Sequence, residues 1–184
     1  MQNKDRLRKK YYYIRKKNYF EVNSNFFNPL IRIIKKKNKK KFVNLSSYYP
    51  SLFEVNTLKI FETNLKYKVK IFLPSLRGKN SMNFYQWSDK ETLKVNKFGM
   101  LEPYAKLKQV VPNIMLVPLL AYDSNKNRLG YGKGFYDRYL KKYLNKYNNI
   151  LTIGIAFSFQ KYHKLPVSNK DVKLNYILTE KGIF

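Results

Sequence analysis

The sequence predicts an α/β fold in three layers, a mostly parallel sheet with helices on both faces, built as a single domain over residues 1–184. Three observations lead there. Short apolar runs ending near a proline, at 42–49 before Pro50, 69–73 before Pro74 and 114–117 before Pro118, alternate with segments of helical period. A length of 184 residues suits one compact core, with nothing to suggest a second. An apolar share of 44%, with 17 Tyr and 13 Phe, is enough to fill that core.

Taken in order, residues 5–20 carry helix formers with Leu7, Tyr11, Ile14 and Phe20 as a loose apolar stripe. Residues 23–34 form a weaker helical segment, in which Pro29 imposes a break or a late start. The lysine-rich tract at 35–41 is a solvated helix end and loop. A strand over 42–49, a helix over 57–68 carrying Leu58, Phe61 and Leu65, and a strand over 69–73 make one strand, helix, strand unit. A further β-rich stretch holds Met82, Phe84, Tyr85 and Trp87, and 114–117 is a buried strand. Residues 134–147 are helical, 150–157 a strong strand and 176–178 a last short one. In such folds ligands lie beyond the carboxyl ends of the strands.

Composition excludes several kinds of chemistry. There is no Cys, so disulfide scaffolds, Cys-based zinc sites and thiol catalysis are ruled out, and the single His163 rules out a His-cluster metal site. The sequence shows neither an apolar run long enough to span a membrane nor the features of an export signal, so a soluble, cytoplasmic protein is expected, with no membrane partner. A monomer or weak homodimer is expected. The net charge of +27 points first to nucleic acid, but 31 of the 38 basic residues are Lys. That excess accompanies abundant Asn, Ile, Phe and Tyr, the residues of AT-rich codons, so it is read as composition acting on solvated positions and no nucleic-acid partner is expected. Anionic small ligands remain compatible with it.

The densest signal is the segment Arg128, Leu129, Gly130, Tyr131, Gly132, Lys133, Gly134, Phe135, Tyr136, Asp137, Arg138, where three of the chain's seven Gly fall within five residues. Glycines at alternate positions let backbone N–H groups approach an anion, and the helix that follows adds a partial positive charge. Arg128 and Lys133 add full charges. The spacing matches neither the dinucleotide fingerprint nor the Walker A loop, and tight turns use glycine too. Asp137, a carboxylate one turn into the helix, suits a Mg²⁺ ion beside a polyphosphate.

Residues 117–140, VPLLAYDSNKNRLGYGKGFYDRYL, closely resemble the signature of the 5-formyltetrahydrofolate cyclo-ligase (methenyltetrahydrofolate synthetase) family. Further matches run through the chain in order: Lys4 and Arg8, four apart; Tyr48, Pro50, Glu54 and Thr57; Met82, Phe84 and Trp87; Gly99, Glu102 and Pro103; Pro166 and Asp171. The resemblance implies ATP-dependent closure of 5-formyltetrahydrofolate to 5,10-methenyltetrahydrofolate, with Mg²⁺ as cofactor and ATP as co-substrate. Chemistry of that kind is positioning and charge stabilisation, which accords with a site lacking Cys and His nucleophiles. By resemblance, Lys4, Arg8 and residues 128–136 hold ATP, and Lys4, Arg8, Arg128 and Lys133 serve catalysis. Asp137 and Asp171 resemble the metal ligands, and Glu54 the carboxylate that binds folate. Tyr49 and Trp87 are aromatic walls for the pterin, with residues 131–135 also facing the substrate.

Each residue also has a plainer reading. Tyr49 and Trp87 suit core packing, Lys4 and Arg8 a solvated helix face, Asp171 a loop cap and Glu54 a helix N-cap. Asp123 is read as a turn residue and His163 as structural or exposed. Two positions depart from the family pattern. Leu119 stands where a small residue is common, so it either crowds the nucleotide turn or repacks, and Asn175 stands where an acid is usual. The competing functions are a basic nucleic-acid-binding module, and a folate or nucleotide carrier without turnover.

Overall fold

Strands buried on both faces need cover on both faces, and the apolar runs form such strands. The computed structural model describes residues 3–37, 43–63, 69–78, 80–104 and 109–184; Phe42, Leu65, Asn38 and the lysines at 39–41 lie outside these. Helices α1 (Lys4–Asn18) and α2 (Asn28–Lys37) precede strands β1 (Val43–Ser46), β2 (Val69–Arg77) and β3 (Ser81–Gln86). Two small hairpins come from β4 (Leu93–Val95) with β5 (Leu101–Pro103), and from β7 (Ala121–Tyr122) with β8 (Arg128–Leu129). Between the hairpins lies β6 (Ile114–Pro118); α3 (Phe135–Leu144), β9 (Leu151–Ile155), β10 (Tyr176–Thr179) and β11 (Gly182–Ile183) follow.

The main sheet runs β11-β10-β9-β6-β1-β2-β3. Its five inner strands are parallel, and the edges β3 and β11 are antiparallel. On one face Phe27, Leu30 and Ile34 pack with Leu45, Ile114, Leu116 and Ile153; on the other Tyr139 and Leu140 of α3 pack with Phe84, Met115 and Val117. The expected three-layer α/β arrangement is present. Helix α1 has a different place. Leu7 and Tyr11 pack on Leu120, Ala121, Leu129, Tyr162 and Leu165, so α1 lies against the segments that leave the carboxyl ends of β6 and β9.

Three local expectations are corrected and a fourth, the late helix start at Pro29, is met. Residues 57–62 form a 3₁₀ turn, Thr57–Glu62, not an α-helix. The Asn56 side chain accepts from Leu58 N at 3.1 Å, and Thr63 closes the turn onto Ile60 O through both its amide at 3.1 Å and its hydroxyl at 2.6 Å. The N-cap is thus Asn56, and Glu54 is free for other work. Strand β2 does not stop at Pro74 but continues to Arg77. Ser47 N donates to Phe72 O at 2.8 Å, so residues of that parity turn their backbone polar groups toward β1. Pro74 faces the same side beyond the last β1 pairing, Ser46 with Phe72, where its missing N–H breaks no ladder bond. In α1 the buried stripe is Leu7, Tyr11 and Arg15; Phe20 lies past the helix end, 41% exposed. Pro29 occupies the first turn of α2, the late start that its missing N–H permits.

The two family departures also resolve into packing. Leu119 is buried, and its side chain enters the space above Gly154, where an added Cβ would lie 2.7 Å from Leu119 Cδ2, 2.7 Å from Ile177 Cδ1 and 2.9 Å from Leu174 Cδ1. Asn175 latches the start of β9: its Oδ1 accepts from Thr152 N and Oγ1, both at 2.9 Å. Gly154→Ala is therefore expected to cost about 1–3 kcal/mol through overpacking. Urea unfolding would show a lower midpoint at unchanged slope; an unchanged midpoint would mean that Leu119 and Ile177 give way without cost.

Candidate active site

The approach to the glycine turn is fixed by Asp123. Its Oδ1 accepts from Asn125 N and Asn127 N, both at 3.0 Å, and its Oδ2 accepts from Leu165 N at 3.1 Å, the turn role expected of it. Buried Leu129 then anchors β8, accepting from Leu120 N at 2.7 Å through its carbonyl. The chain bends at Gly132 and Gly134, with φ of +97° and +67°, and Gly134 is the N-cap of α3.

Each glycine of the turn has a guanidinium in the space a side chain would fill. A Cβ on Gly130 would lie 2.7 Å from Arg128 Nη1, one on Gly132 3.2 Å from Arg8 Cζ, and one on Gly134 2.9 Å from Arg138 Nη1. Arg8 is tied down by donating through Nε to Gly130 O at 3.0 Å, and it also pairs with Asp5. Arg138 donates to Lys133 O at 2.9 Å and to Asn80 O at 2.7 Å. Lys133 is exposed, its ammonium 5.6 Å from the centre of the Phe98 ring, and Phe98 in turn meets Phe135 at 6.1 Å.

The acids fall beside these cations. Arg128, whose side chain is 4% exposed, pairs through Nη2 with Asp137 Oδ1 at 2.8 Å. Asp137 also accepts from Val172 N at 3.3 Å, which brings the first turn of α3 against the residue that follows Asp171. Asp171 takes Lys4 Nζ at 2.5 Å and Ser168 N at 2.6 Å. Burial alone would raise its carboxyl, but Lys4 and the two Ser168 donors outweigh that and hold it below the ordinary value. Lys4, Arg8, Arg128, Asp137 and Asp171 are thus gathered around one turn.

Glu54 lies on the segment leaving β1 and is 8% exposed. Its Oε2 accepts from Ser51 N at 2.9 Å and Ser51 Oγ at 3.3 Å, and its Oε1 accepts from the Tyr131 hydroxyl. Burial pushes the carboxyl up, against Arg15, Tyr131 and Ser51, which all favour the carboxylate. Burial likewise raises the Tyr131 and Tyr136 hydroxyls. Two clefts open here. One, of about 280 Å³, is lined by Glu54 with Pro50, Ser51, Leu52 and Phe53; the other, of about 380 Å³, by Arg8, Lys9, Tyr12, Tyr13, Leu120 and Tyr131.

Trp87 sits in an aromatic cluster, 5.5 Å from Phe61 and 6.4 Å from Tyr49, with its indole N–H donating to Glu91 O at 2.9 Å. That is the packing alternative for Trp87, while Tyr49 is half-buried at the cluster's edge. Sequence reasoning missed Arg15, which is 1% exposed and donates to Tyr131 Oη at 2.7 Å. A cation at i+8 from Leu7 and i+4 from Tyr11, on an otherwise buried stripe, was the available signal. It also missed Ser46 and Ser47 at the end of β1. Their hydroxyls, with Tyr136 Oη and the Nε atoms of Arg15 and Arg128, are buried without a partner among the described residues. Such atoms are unspent capacity for polar contact. His163 is exposed and lies against Tyr162, in keeping with its plainer reading.

A parallel sheet with a cation-packed glycine turn beyond its carboxyl ends falls in the class of α/β proteins that hold ligands at that edge. Comparison with known proteins narrows the class. The 5-formyltetrahydrofolate cyclo-ligase family model matches residues 2–180. The 5-formyltetrahydrofolate cyclo-ligase of Haemophilus influenzae is 32% identical over 141 residues, 73% of this chain and 74% of its own. The NMR structure of Aquifex aeolicus 5,10-methenyltetrahydrofolate synthetase superposes with a TM-score of 0.72 at 30% identity, covering 98% of this chain and 91% of that one. A Mycoplasma pneumoniae 5,10-methenyltetrahydrofolate synthetase has the same fold, with a TM-score of 0.69 at 24% identity over 97% and 99% of the two chains. The chain belongs to the 5-formyltetrahydrofolate cyclo-ligase family, a family of ligases. Among the described residues no helix is long and apolar enough to cross a membrane.

The glycine turn itself can be tested without any substrate. In Gly132→Ala a side chain meets both a φ of +97° and the Arg8 guanidinium. A stability cost of about 1–3 kcal/mol is expected, with affinity for inorganic triphosphate down about tenfold. Undiminished triphosphate binding, by calorimetry, would sever the turn from that role.

Proposed function

We propose that the chain closes 5-formyltetrahydrofolate to 5,10-methenyltetrahydrofolate with conversion of ATP to ADP and phosphate, its residues 1–184 acting as one domain. The observation that carries this reading is the seating of Arg8 and Arg128 against bare glycine backbone, each within reach of a carboxylate that a phosphate can replace. A formyl amide oxygen is a poor leaving group. Transfer of the terminal phosphoryl of ATP to that oxygen makes it a good one; N10 then attacks the formyl carbon and loses its proton, and phosphate departs with the carbon–oxygen bond. No covalent enzyme intermediate is required.

The residues present match those demands. Lys4, Arg8, Arg128 and Lys133 supply positive charge for a polyphosphate, with residues 129–136 shaping its bed. Arg brings a planar fork suited to phosphate oxygens. Asp137 and Asp171 are the candidate holders of Mg²⁺. Two carboxylates suit an ion that takes its remaining ligands from phosphate and water, and Asp137 and Asp171 each already face a cation, Arg128 and Lys4. Bound there, the metal would neutralise phosphate charge. The buried Glu54 carboxylate offers an acceptor for the pterin's N–H donors, with Tyr49 and Trp87 as the aromatic residues near it.

The direct test is near-ultraviolet absorbance of the methenyl product when purified protein meets 5-formyltetrahydrofolate, ATP and Mg²⁺. Product in step with ADP is expected. Bound ligands without product would leave a carrier, and no binding would end the reading. Asp137→Asn is expected to lower kcat about a hundredfold while changing folate affinity little; equal turnover would remove Asp137 from the metal's company. Folate binding should also depend on pH. Glu54 must be ionised for both its oxygens to accept, and burial pushes its carboxyl above the ordinary carboxylate range, so affinity is expected to weaken as the pH falls, beginning at a higher pH than an exposed glutamate would show. Affinity that persists unchanged through the ordinary carboxylate range would mean another acceptor holds the pterin.

A further inference from the structure

Arg15 is the most enclosed charge in the molecule's described part, and the assignments above do not use it. From α1 its Nη1 donates to Leu119 O at 3.2 Å and to Tyr131 Oη at 2.7 Å, and its Nη2 donates to Leu52 O at 2.8 Å. One guanidinium therefore joins three segments: the chain leaving β6, the glycine turn, and the loop leaving β1. The Tyr131 hydroxyl passes the connection on, accepting from Arg15 and donating to Glu54. Leu52 and its neighbour Phe53, held at φ of +49° and +64°, are non-glycine residues in the left-handed region. A conformation of that kind persists where surrounding contacts over-determine it, and the Arg15 bond to Leu52 O is one such contact. Both clefts touch the chain of bonds, with Leu52 and Glu54 lining one and Tyr131 and Arg8 lining the other.

We propose that Arg15 and the Tyr131 hydroxyl form a strut by which the phosphate-binding helix α1 sets the position of Glu54, so that occupancy of the nucleotide cleft and of the folate cleft are linked. Arg15 is a positioning residue in this scheme: it touches neither ligand. The inference rests on the reading of Arg8 as a phosphate holder and Glu54 as the folate acceptor. Lys4 and Arg8 lie on the same helix as Arg15, so a shift of α1 toward bound phosphates moves Arg15 with it. A rigid helix and two hydrogen bonds then carry that shift to the carboxylate. Arg is needed because one planar fork meets two carbonyls and a hydroxyl at once, which a lysine ammonium on a flexible stem does not do in this geometry.

The experiment is a binding cycle on the full chain. The Kd of 5-formyltetrahydrofolate is measured by calorimetry with and without a saturating non-hydrolysable ATP analogue and Mg²⁺. In the unaltered protein the analogue is expected to tighten folate about fivefold or more. Tyr131→Phe removes a single hydroxyl while leaving both Arg15-to-carbonyl bonds, and the ratio should fall to near one. Arg15→Lys should lower it in the same direction. A purely structural role for Arg15 would weaken both ligands by one common factor and leave the ratio intact, which would overturn the strut, as would an unaltered protein that binds both ligands without coupling. Failure of the unaltered protein to bind folate at all would instead overturn the functional reading on which the strut rests.

Discussion

A guanidinium can lie close against a peptide backbone only where no Cβ intervenes. That constraint organises the carboxyl edge of this sheet. Gly130, Gly132 and Gly134 leave the turn bare, and Arg128, Arg8 and Arg138 occupy the room so made. The glycines thus serve two ends: positive φ at Gly132 and Gly134 turns the chain into α3, and the missing side chains let cations from both α1 and α3 reach a common surface. Positive charge packed this tightly costs free energy unless it is matched. Asp5, Asp137 and the backbone carbonyls of Gly130 and Lys133 supply the match in the protein as it stands.

The placement of α1 follows from the same need. A helix with its stripe on one face of the sheet would compete with α2 or α3 for cover. With Leu7 and Tyr11 on Leu120, Leu129 and Leu165, α1 instead closes the edge from which β6 and β9 deliver their loops, and it presents Lys4 and Arg8 to the turn at i and i+4. The cost is the burial of Arg15 at the third position of the stripe. Three hydrogen bonds, two of them to carbonyls that lie outside the strands, offset its desolvation, and its Nε is left over. A hydrophobic residue of similar volume would pack there at less cost in charge. It would leave the Leu52 carbonyl without its Arg15 donor, whereas the Leu119 carbonyl would keep Gln160 and the Tyr131 hydroxyl would keep Glu54.

Period and turn chemistry made the layers readable, because buried parallel strands are apolar throughout and their helices are amphipathic. The glycine turn was readable for a related reason: in a chain with only seven Gly, three within five residues have a local cause. What stayed hidden depended on relations across the chain. Pro74 looks like a strand end from its own neighbours, yet its nitrogen points past the end of β1. Glu54 looks like a helix cap because a cap is a local device, whereas its actual partner in the turn lies 77 positions away. Arg15 lies in a helix already rich in cations, and its three partners, Leu52, Leu119 and Tyr131, are all distant in sequence. Trp87 packs on Phe61 and Tyr49 and bonds Glu91 O, neighbours that no local pattern announces. Leu119 could be resolved only with the facing residue in view, since the leucine fits because position 154 is glycine.

The abundance of lysine makes the rarer charged residues the more informative ones. Of seven Arg, Arg8, Arg15, Arg128 and Arg138 stand around the turn, and Arg77 grips Tyr85 through Nε and Nη2 at 3.0 and 2.7 Å; Arg6 and Arg32 are exposed. Arg is found where a planar fork is used, and Lys mostly where a solvated point charge suffices. The acids divide in a similar way. Glu54, Glu102 and Asp123 are buried and each satisfies backbone N–H groups, with Glu102 accepting from Leu76 N at 2.9 Å to dock the β4–β5 hairpin on β2. A surface evolved to track a phosphate backbone would spread its forked cations along a face. Here they converge on one turn a few residues long, beside two carboxylates, a distribution in keeping with the compact polyanion proposed above.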